Sequence, residues 1–455
     1  VIQYENIQKA MGVDIAISKK MANAIYRWNK MYINEAPWLN DDIKSLNLPA
    51  AICSEMARLV TMESKITISG SPRADLIAKA MAPFLAFLYN YVEYACSGGG
   101  IVFKPYIDDK GIAIDVVKAG YFYPTAFDGA GDITAVIFPE FKTVGKKLYT
   151  RLEYQALIGN KYIIMNKAFV SRKAVVRTDN IVQLGQEISL ESVPEWADMV
   201  PYVEFENADR TLFSYFKIPM ANNIDPDSPL GVSVFARAVN QIKDADEQYG
   251  ETLWEFRSKE TAIQAANEFF RKDRKGNPVL PKGGDRLYRA MGSNVMDNDG
   301  KPFFNVYSPE IRDQSFFNGY NRIMQKIEFN SGLAYGTLSD PQTVDKTAEE
   351  IKTSKQRSHA TVKAIQNSLD SAIHTLVGAI DVWADIGNVV PAGRVDVIGA
   401  WDDSIVVDKE TERKQDLQDV AIGAMQLWEY RAKHYGETEE VARKMIAQQA
   451  DIVDK

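Results

Sequence analysis

The sequence predicts an α+β fold of two or three structural units, and three observations carry that expectation. Apolar residues recur at helical spacing up to about position 95, at strand spacing from 101 to about 192, and again at helical spacing over most of the second half. At 455 residues the chain exceeds the usual size of one hydrophobic core. Hydrophobic residues make up 46% and charged residues 25%, the balance of an ordinary folded protein rather than a disordered or fibrous one.

The elements follow in order. Ile17, Met21, Ala24, Trp28 and Met31 recur at intervals of three and four and predict a helix over 14–33. A shorter helix is expected near 49–60 and another over 74–95, which Ser97-Gly98-Gly99-Gly100 ends. The runs IVFKPYI and IAIDVV flank Asp108-Asp109-Lys110-Gly111 and read as a hairpin, with further strands at 133–139, 147–158 and 161–166. The turn-rich stretch ANNIDPDSPLG at 221–231 marks the next boundary.

A helix over about 232–260 carries two opposed faces. Phe235, Val239, Ile242, Tyr249, Leu253 and Phe256 share one side, and Asp244, Glu247, Glu251 and Glu255 lie about half a turn away. Between 261 and 309, Gly and Pro punctuate short segments in which basic residues outnumber acidic ones, which predicts a small mixed unit of turns and strands. A second helix over 312–331, with Phe316, Tyr320, Ile323 and Ile327 on one face, makes that unit an insertion at the tip of a helical pair. Thr347 and Glu350 form a capping-box signature for a very long helix to about 386. Its near-heptad seam of Val362, Ile365, Leu369, Ile373, Leu376, Ile380 and Trp383 suits packing against neighbouring helices. A strand pair at 394–398 and 404–408 and two helices near 409–434 and 438–452, separated by Gly436, complete the chain.

The net charge of -8 excludes attraction of nucleic acid by bulk charge, so any DNA contact is local or weak. Cys53 and Cys96, two thiols in so long a chain, predict buried small hydrophobes and a reducing compartment. No apolar run reaches the roughly 18 residues that span a bilayer, and VIQYENIQKA lacks the pattern of a signal peptide, so synthesis in the cytoplasm is expected. The chain begins at Val1 without a methionine, and a preceding segment is expected.

Catalytic signatures are missing. Gly145-Lys146-Lys147 lacks the first glycine and the hydroxyl residue of a phosphate loop, and the glycines at 98–100 precede a strand rather than a helix, which favours a tight turn. His359, His374 and His434 are the three histidines, and no zinc or nucleophile motif surrounds them. His374, beside the apolar seam, is expected to be packed or interfacial. Asp297-Asn298-Asp299-Gly300 begins like a calcium loop without its later glutamate and reads as a hairpin turn. Neither a metal nor a cofactor is expected, and the chain reads as not an enzyme.

Three stretches carry a resemblance: GGGIVFKPYIDDKGIAIDVVKAGYFYPTAFDGAGDITAVIF, SPLGVSVFARAVNQIKDADEQY and GLAYGTLSDPQTVDKTAEEIKTSKQR. With the element order just given, they resemble the portal proteins of tailed bacteriophages, in the branch found in siphophages of Gram-positive bacteria, over nearly the whole chain. The resemblance implies a portal-like α+β architecture with an α/β wing, a long-helix stem, a small α/β clip inserted between the stem helices and a C-terminal helical crown. On this chain the wing covers 1–231, the stem helices 232–260 and 312–331, and the clip 261–311. The tunnel loop covers 332–346, a long wing helix with its strand pair 347–408, and the crown 409–455.

It also implies a cyclic homo-oligomer, usually of twelve subunits, at one capsid vertex of the virion, assembled in the host cytoplasm. Double-stranded DNA would pass through it during packaging and ejection without sequence-specific binding. Terminase, a head-tail adaptor, and major capsid and scaffold proteins are the implied partners, with no membrane. Residues expected to line the channel are Asp244, Glu247, Glu251, Glu255, Lys346 and Lys352. An acidic wall would keep the passing polyanion from sticking, since each facing cation adds counterion-release affinity. Lys355, His359 and Lys363 continue the spacing of Lys352 and read slightly better as partners of a neighbour's carboxylates than as tunnel cations. Arg271, Lys272, Arg274 and Lys275 are expected to dock terminase and adaptor. The alternatives are another capsid-associated or connector protein, in which the clip between helices would be missing, and a nucleic-acid-processing enzyme with a dispersed site, which a cluster of acidic metal ligands would favour.

Overall fold

The computed structural model describes residues 4–62, 64–109, 111–172, 184–258, 262–279, 288–292, 296, 299–301, 303–307, 310, 312–340, 348–387, 390–401, 409–435, 439 and 441–446. These form a mixed α+β fold. The N-terminal part comprises α1 (Tyr4–Met11), α2 (Lys19–Tyr32), α3 (Leu48–Thr61), β1 (Lys65–Ser69), α4 (Pro72–Ala86) and α5 (Leu88–Gly98). The helix expected from position 14 starts at Lys19, because the Ser18 hydroxyl caps it by accepting from the Met21 amide at 3.2 Å. The helix expected over 74–95 is two. Pro83 removes a donor from the end of α4, and the chain turns at Phe87 before α5 begins.

The glycine run is explained by a close crossing. Gly99 caps α5 at φ +91°, and a Cβ there would stand 2.4 Å from the Gly231 carbonyl oxygen. A tight turn, rather than an anion cradle, is what these residues build.

The strands that follow are β2 (Gly100–Asp108), β3 (Gly111–Lys118), β4 (Tyr123–Phe127), β5 (Ile133–Val144), β6 (Lys147–Ile158), β7 (Lys161–Arg172), β8 (Gln186–Ile188), β9 (Tyr202–Glu206) and β10 (Ser214–Lys217). They make two antiparallel sheets, β10-β2-β3 and β4-β5-β6-β7-β8, with β9 also paired to β7. The expected hairpin is β2 and β3, and the expected strand at 147–158 is β6.

After a short 3-10 turn at Ala236–Ala238 comes α6 (Val239–Ser258). It leads into β11 (Ala262–Ala266), β12 (Arg271–Lys272), β13 (Pro278–Val279), β14 (Tyr288–Met291) and β15 (Phe304–Tyr307), and α7 (Asp313–Ser331) returns. In this unit β11 is central, parallel to β14 and antiparallel to β15, and β12 pairs with β13. The two helices run antiparallel. Asn330 bonds Gln241 at 3.4 Å, Gly319 leaves room for the Gln248 amide, and Arg312 meets Glu255.

Next, α8 (Ala348–Ile386) threads the body. Val362, Ile365, Leu369, Ile373, Leu376 and Ile380 are each at most 1% exposed, and burying each contributes roughly 1.5 to 3 kcal/mol. As the spacing suggested, the seam packs against neighbouring helices, α3 and α4, and it also packs against β2 and β10. It packs within the subunit, where Ser368 bonds the Lys217 carbonyl of β10, Ser214 bonds the Ala372 carbonyl and Gln366 bonds the Val60 carbonyl at the end of α3. Arg73 of α4 is fully buried and clamps the end of α8 through Asp381 at 2.8 Å, Asp385 and the Val390 carbonyl.

The strand near 394–398 is β16 (Asp396–Ala400), and it pairs with β1. Residues 404–408 lie outside the described residues, as do Thr347 and Gly436. The expected helix 409–434 is α9 (Lys409–Ala421) and α10 (Leu427–Tyr435), separated at Gly423, whose φ is +79°.

Candidate functional site

On α6 the acidic face is present in part. Asp244 and Glu251 are exposed and Glu247 is intermediate, with Lys243 at 3.5 Å from Glu247. Glu255 departs from the expected stripe. It is 2% exposed, and Nε and Nη2 of Arg312 hold it at 3.2 and 3.1 Å. That hydrogen bond raises the Arg312 pKa above its ordinary value. The stripe seen in the subunit is therefore three carboxylates, because the fourth is spent joining α6 to the start of α7.

The opposite face also differs from its sequence reading. Phe235 and Ile242 are fully buried, but Phe256 is 39% exposed and Trp254 beside it 65%. Asp246, which shares the angular position of Ile242 and Tyr249 on a helical wheel, faces inward among the apolar residues. Its carboxylate accepts from the Trp38 indole and the Leu46 amide at 2.9 Å each, straddling the segment between α2 and α3. Burial raises its pKa, and these two hydrogen bonds oppose the rise. A wheel drawn for all carboxylates would have separated Asp246 from the outer three.

The four basic residues expected to dock partners fall on the hairpin of β12 and β13. Arg271, Lys272, Arg274 and Lys275 are all exposed. Asp273 organises the turn between them, accepting from the Lys275 and Asn277 amides at 2.7 and 2.8 Å, with Gly276 at φ +89°. The same bonds hold the Asp273 carboxyl below its ordinary pKa. Phe269 and Phe304 lie nearby with ring centroids 5.7 Å apart, each more than half exposed. Four cations and an aromatic pair thus crown the unit at the end of α6 and α7.

The loop after α7 is set by a residue that sequence reasoning passed over. Glu328 is fully buried and accepts from the Leu338 amide at 2.6 Å, the Ser339 amide at 2.8 Å and the Ser339 hydroxyl at 2.9 Å. Arg357 of α8 donates to the Leu333 carbonyl and stacks 4.2 Å over Phe329. Lys346 lies outside the described residues, and Lys352 and Lys355 belong to the helical backbone of α8. His359 and Lys363, one and two turns further on, are partly exposed and carry interactions of their own.

His374 is half-exposed, 3.7 Å from Asp370, and His434 bonds Asp416 at 2.6 Å between α9 and α10. Asp416 is also held by Lys433 at 2.7 Å, and these partners lower its pKa. Cys53 and Cys96 are fully buried, which pushes both thiols well up. Asp299 and Gly300 form a turn with Gly300 at φ +73°, while Asp297 and Asn298 lie outside the described residues. Among the described residues no group of three or more His, Cys, Asp or Glu side chains could hold a metal ion, and no helix is long and apolar enough to cross a membrane.

A buried polar cluster joins the two sheets of the body. Glu153 of β6 accepts from Lys104 at 2.7 Å and Arg151 at 2.9 Å, and Arg151 also reaches Asn166 and Glu140. Burial alone would raise the Glu153 pKa, but the two cations beside it hold it at about 2. The cluster is fully paired, so it is a structural joint. The chain matches no protein-family model and no curated protein sequence.

Proposed function

We propose that this chain is one subunit of a portal ring, the channel at one capsid vertex through which a tailed bacteriophage moves its DNA. The observation that carries this reading is a small β unit borne at the end of the antiparallel pair α6 and α7, with the 39-residue α8 returning through the body. A capsid-associated protein of another kind has no need of that insertion. In this reading Asp244, Glu247 and Glu251 face the channel, and the ring multiplies them into a wall that repels the DNA backbone. Arg271, Lys272, Arg274 and Lys275 form the docking face for terminase and then for the adaptor. The subunit works by shape and charge rather than by chemistry on a bound substrate.

Replacing Asp244 and Glu251 by lysine tests the wall. Both side chains are exposed, so the subunit is expected to fold unchanged. The substituted assembly should retain DNA with a steep dependence on salt, where the parent shows almost none. Equal, salt-insensitive behaviour of the two would contradict the channel assignment of this face.

A further inference from the structure

A cleft of about 350 Å³ lies between α2 and the start of α6. Lys20, Asn23 and Arg27 enter it from one face of α2, Asn223 from the loop before α6, Arg237 from the 3-10 turn Ala236–Ala238 and Asn240 from the first turn of α6. Ala24, Ile224 and Val239, each partly exposed, supply apolar wall. No carboxylate lines it, and among the described residues none of the three cations forms an ion pair. Elsewhere on this acidic chain exposed cations commonly meet a carboxylate, as Arg58 meets Glu55, Lys161 meets Glu204 and Arg394 meets Asp396.

The cleft is also built. Asn222 fixes the loop by accepting from the Ile224 and Asp225 amides at 3.0 and 2.9 Å, and its own amide reaches the Leu230 carbonyl and the Met21 sulfur of α2. Arg237 donates to the Ala221 carbonyl at 3.3 Å, which steadies its guanidinium at the rim. Three cations held around one concavity repel one another until an anion enters.

We infer that this cleft binds a small phosphate monoester of nucleotide size. Two guanidinium forks and an ammonium match phosphate oxygens, the three carboxamides can donate to and accept from a base or sugar, and the apolar wall gives a ring a surface to lie on. Its volume is at the lower end for a small-molecule site and too small for a duplex to enter. The inference does not rest on the ring reading, since the cleft lies within one subunit.

Isothermal titration of the purified chain with deoxyadenosine 5′-monophosphate, inorganic phosphate, deoxyadenosine and a hexaglutamate peptide tests it. The monophosphate should bind saturably and tighter than inorganic phosphate, and deoxyadenosine should not bind. The double variant Arg27→Gln, Arg237→Gln should weaken the monophosphate by about tenfold or more, whereas Arg322→Gln on α7 should leave it unchanged. Both cleft arginines are exposed, so these variants are expected to melt with the parent. Absence of monophosphate binding at millimolar concentration, or equal binding by the double variant, would overturn the assignment. So would hexaglutamate binding as tightly with the same dependence on the two arginines, because the occupant would then be a protein carboxylate.

Discussion

The body and the α6–α7 arm both bury carboxylates beside cations, but they finish the job differently. In the body, Glu153 sits between Lys104 and Arg151, and all three side chains are at most 11% exposed. At the far end of the arm, Glu255 is equally hidden, yet its partner Arg312 is 66% exposed and Trp254, Phe256 and Phe317 stand out in solvent. The root of the arm belongs with the body, since Ile242, Ala245, Met324 and Ile327 join the main core. The subunit therefore completes its own packing up to the root and leaves the tip with large aromatic surface uncovered.

The largest expected effect lies in the body. Glu153→Gln leaves buried Lys104 without its counter-charge and Arg151 with Glu140 alone, and should cost about 3 to 5 kcal/mol at neutral pH, measured by urea unfolding. Because the folded-state pKa of Glu153, about 2, lies below its ordinary 4.5, its ionised form stabilises the fold at pH values above 4.5. That stability is lost as pH falls from there through 2, so the gap between parent and variant should close over this window. A gap that stays constant with pH would mean that Glu153 acts by shape alone.

At the root, Ile327→Ala opens a fully buried site and should cost about 3 kcal/mol. At the tip, Trp254→Ala should change subunit stability by no more than about 0.5 kcal/mol. On the portal reading its effect falls on assembly instead, where sedimentation should show fewer closed oligomers. If Trp254→Ala destabilised the subunit as much as Ile327→Ala does, the division between root and tip would fail.

Much of this division was legible in the sequence. The β6 bounds, the buried seam of α8 and the order helix, small unit, helix follow from local periodicity, which the chain obeys wherever one face is buried. Partners distant in sequence were not legible. The pairing of 65–69 with 396–400 is a register between segments that carry no local sign of each other. Glu255 looked like its exposed neighbours because the arginine that hides it lies 57 positions away. Lys104 and Arg151 stand in strands buried on both faces, so their alternation gave no warning of a sealed ionic joint. The basic excess of this unit was legible because a charge run is a local property, but the hairpin that exposes its four side chains was not. The three cations of the α2 cleft, which form no ion pair among the described residues, come from segments more than 200 positions apart, and only the fold brings them together.

The most direct test of the account is electron-microscope imaging of the purified chain, with averaging of single particles. The portal reading expects closed rings of many subunits around a central channel, with the β unit of each arm at one end and Asp244, Glu247 and Glu251 on the inner wall. Monomers or two-fold dimers, or rings whose channel is lined by the Trp254 side of α6, would contradict it.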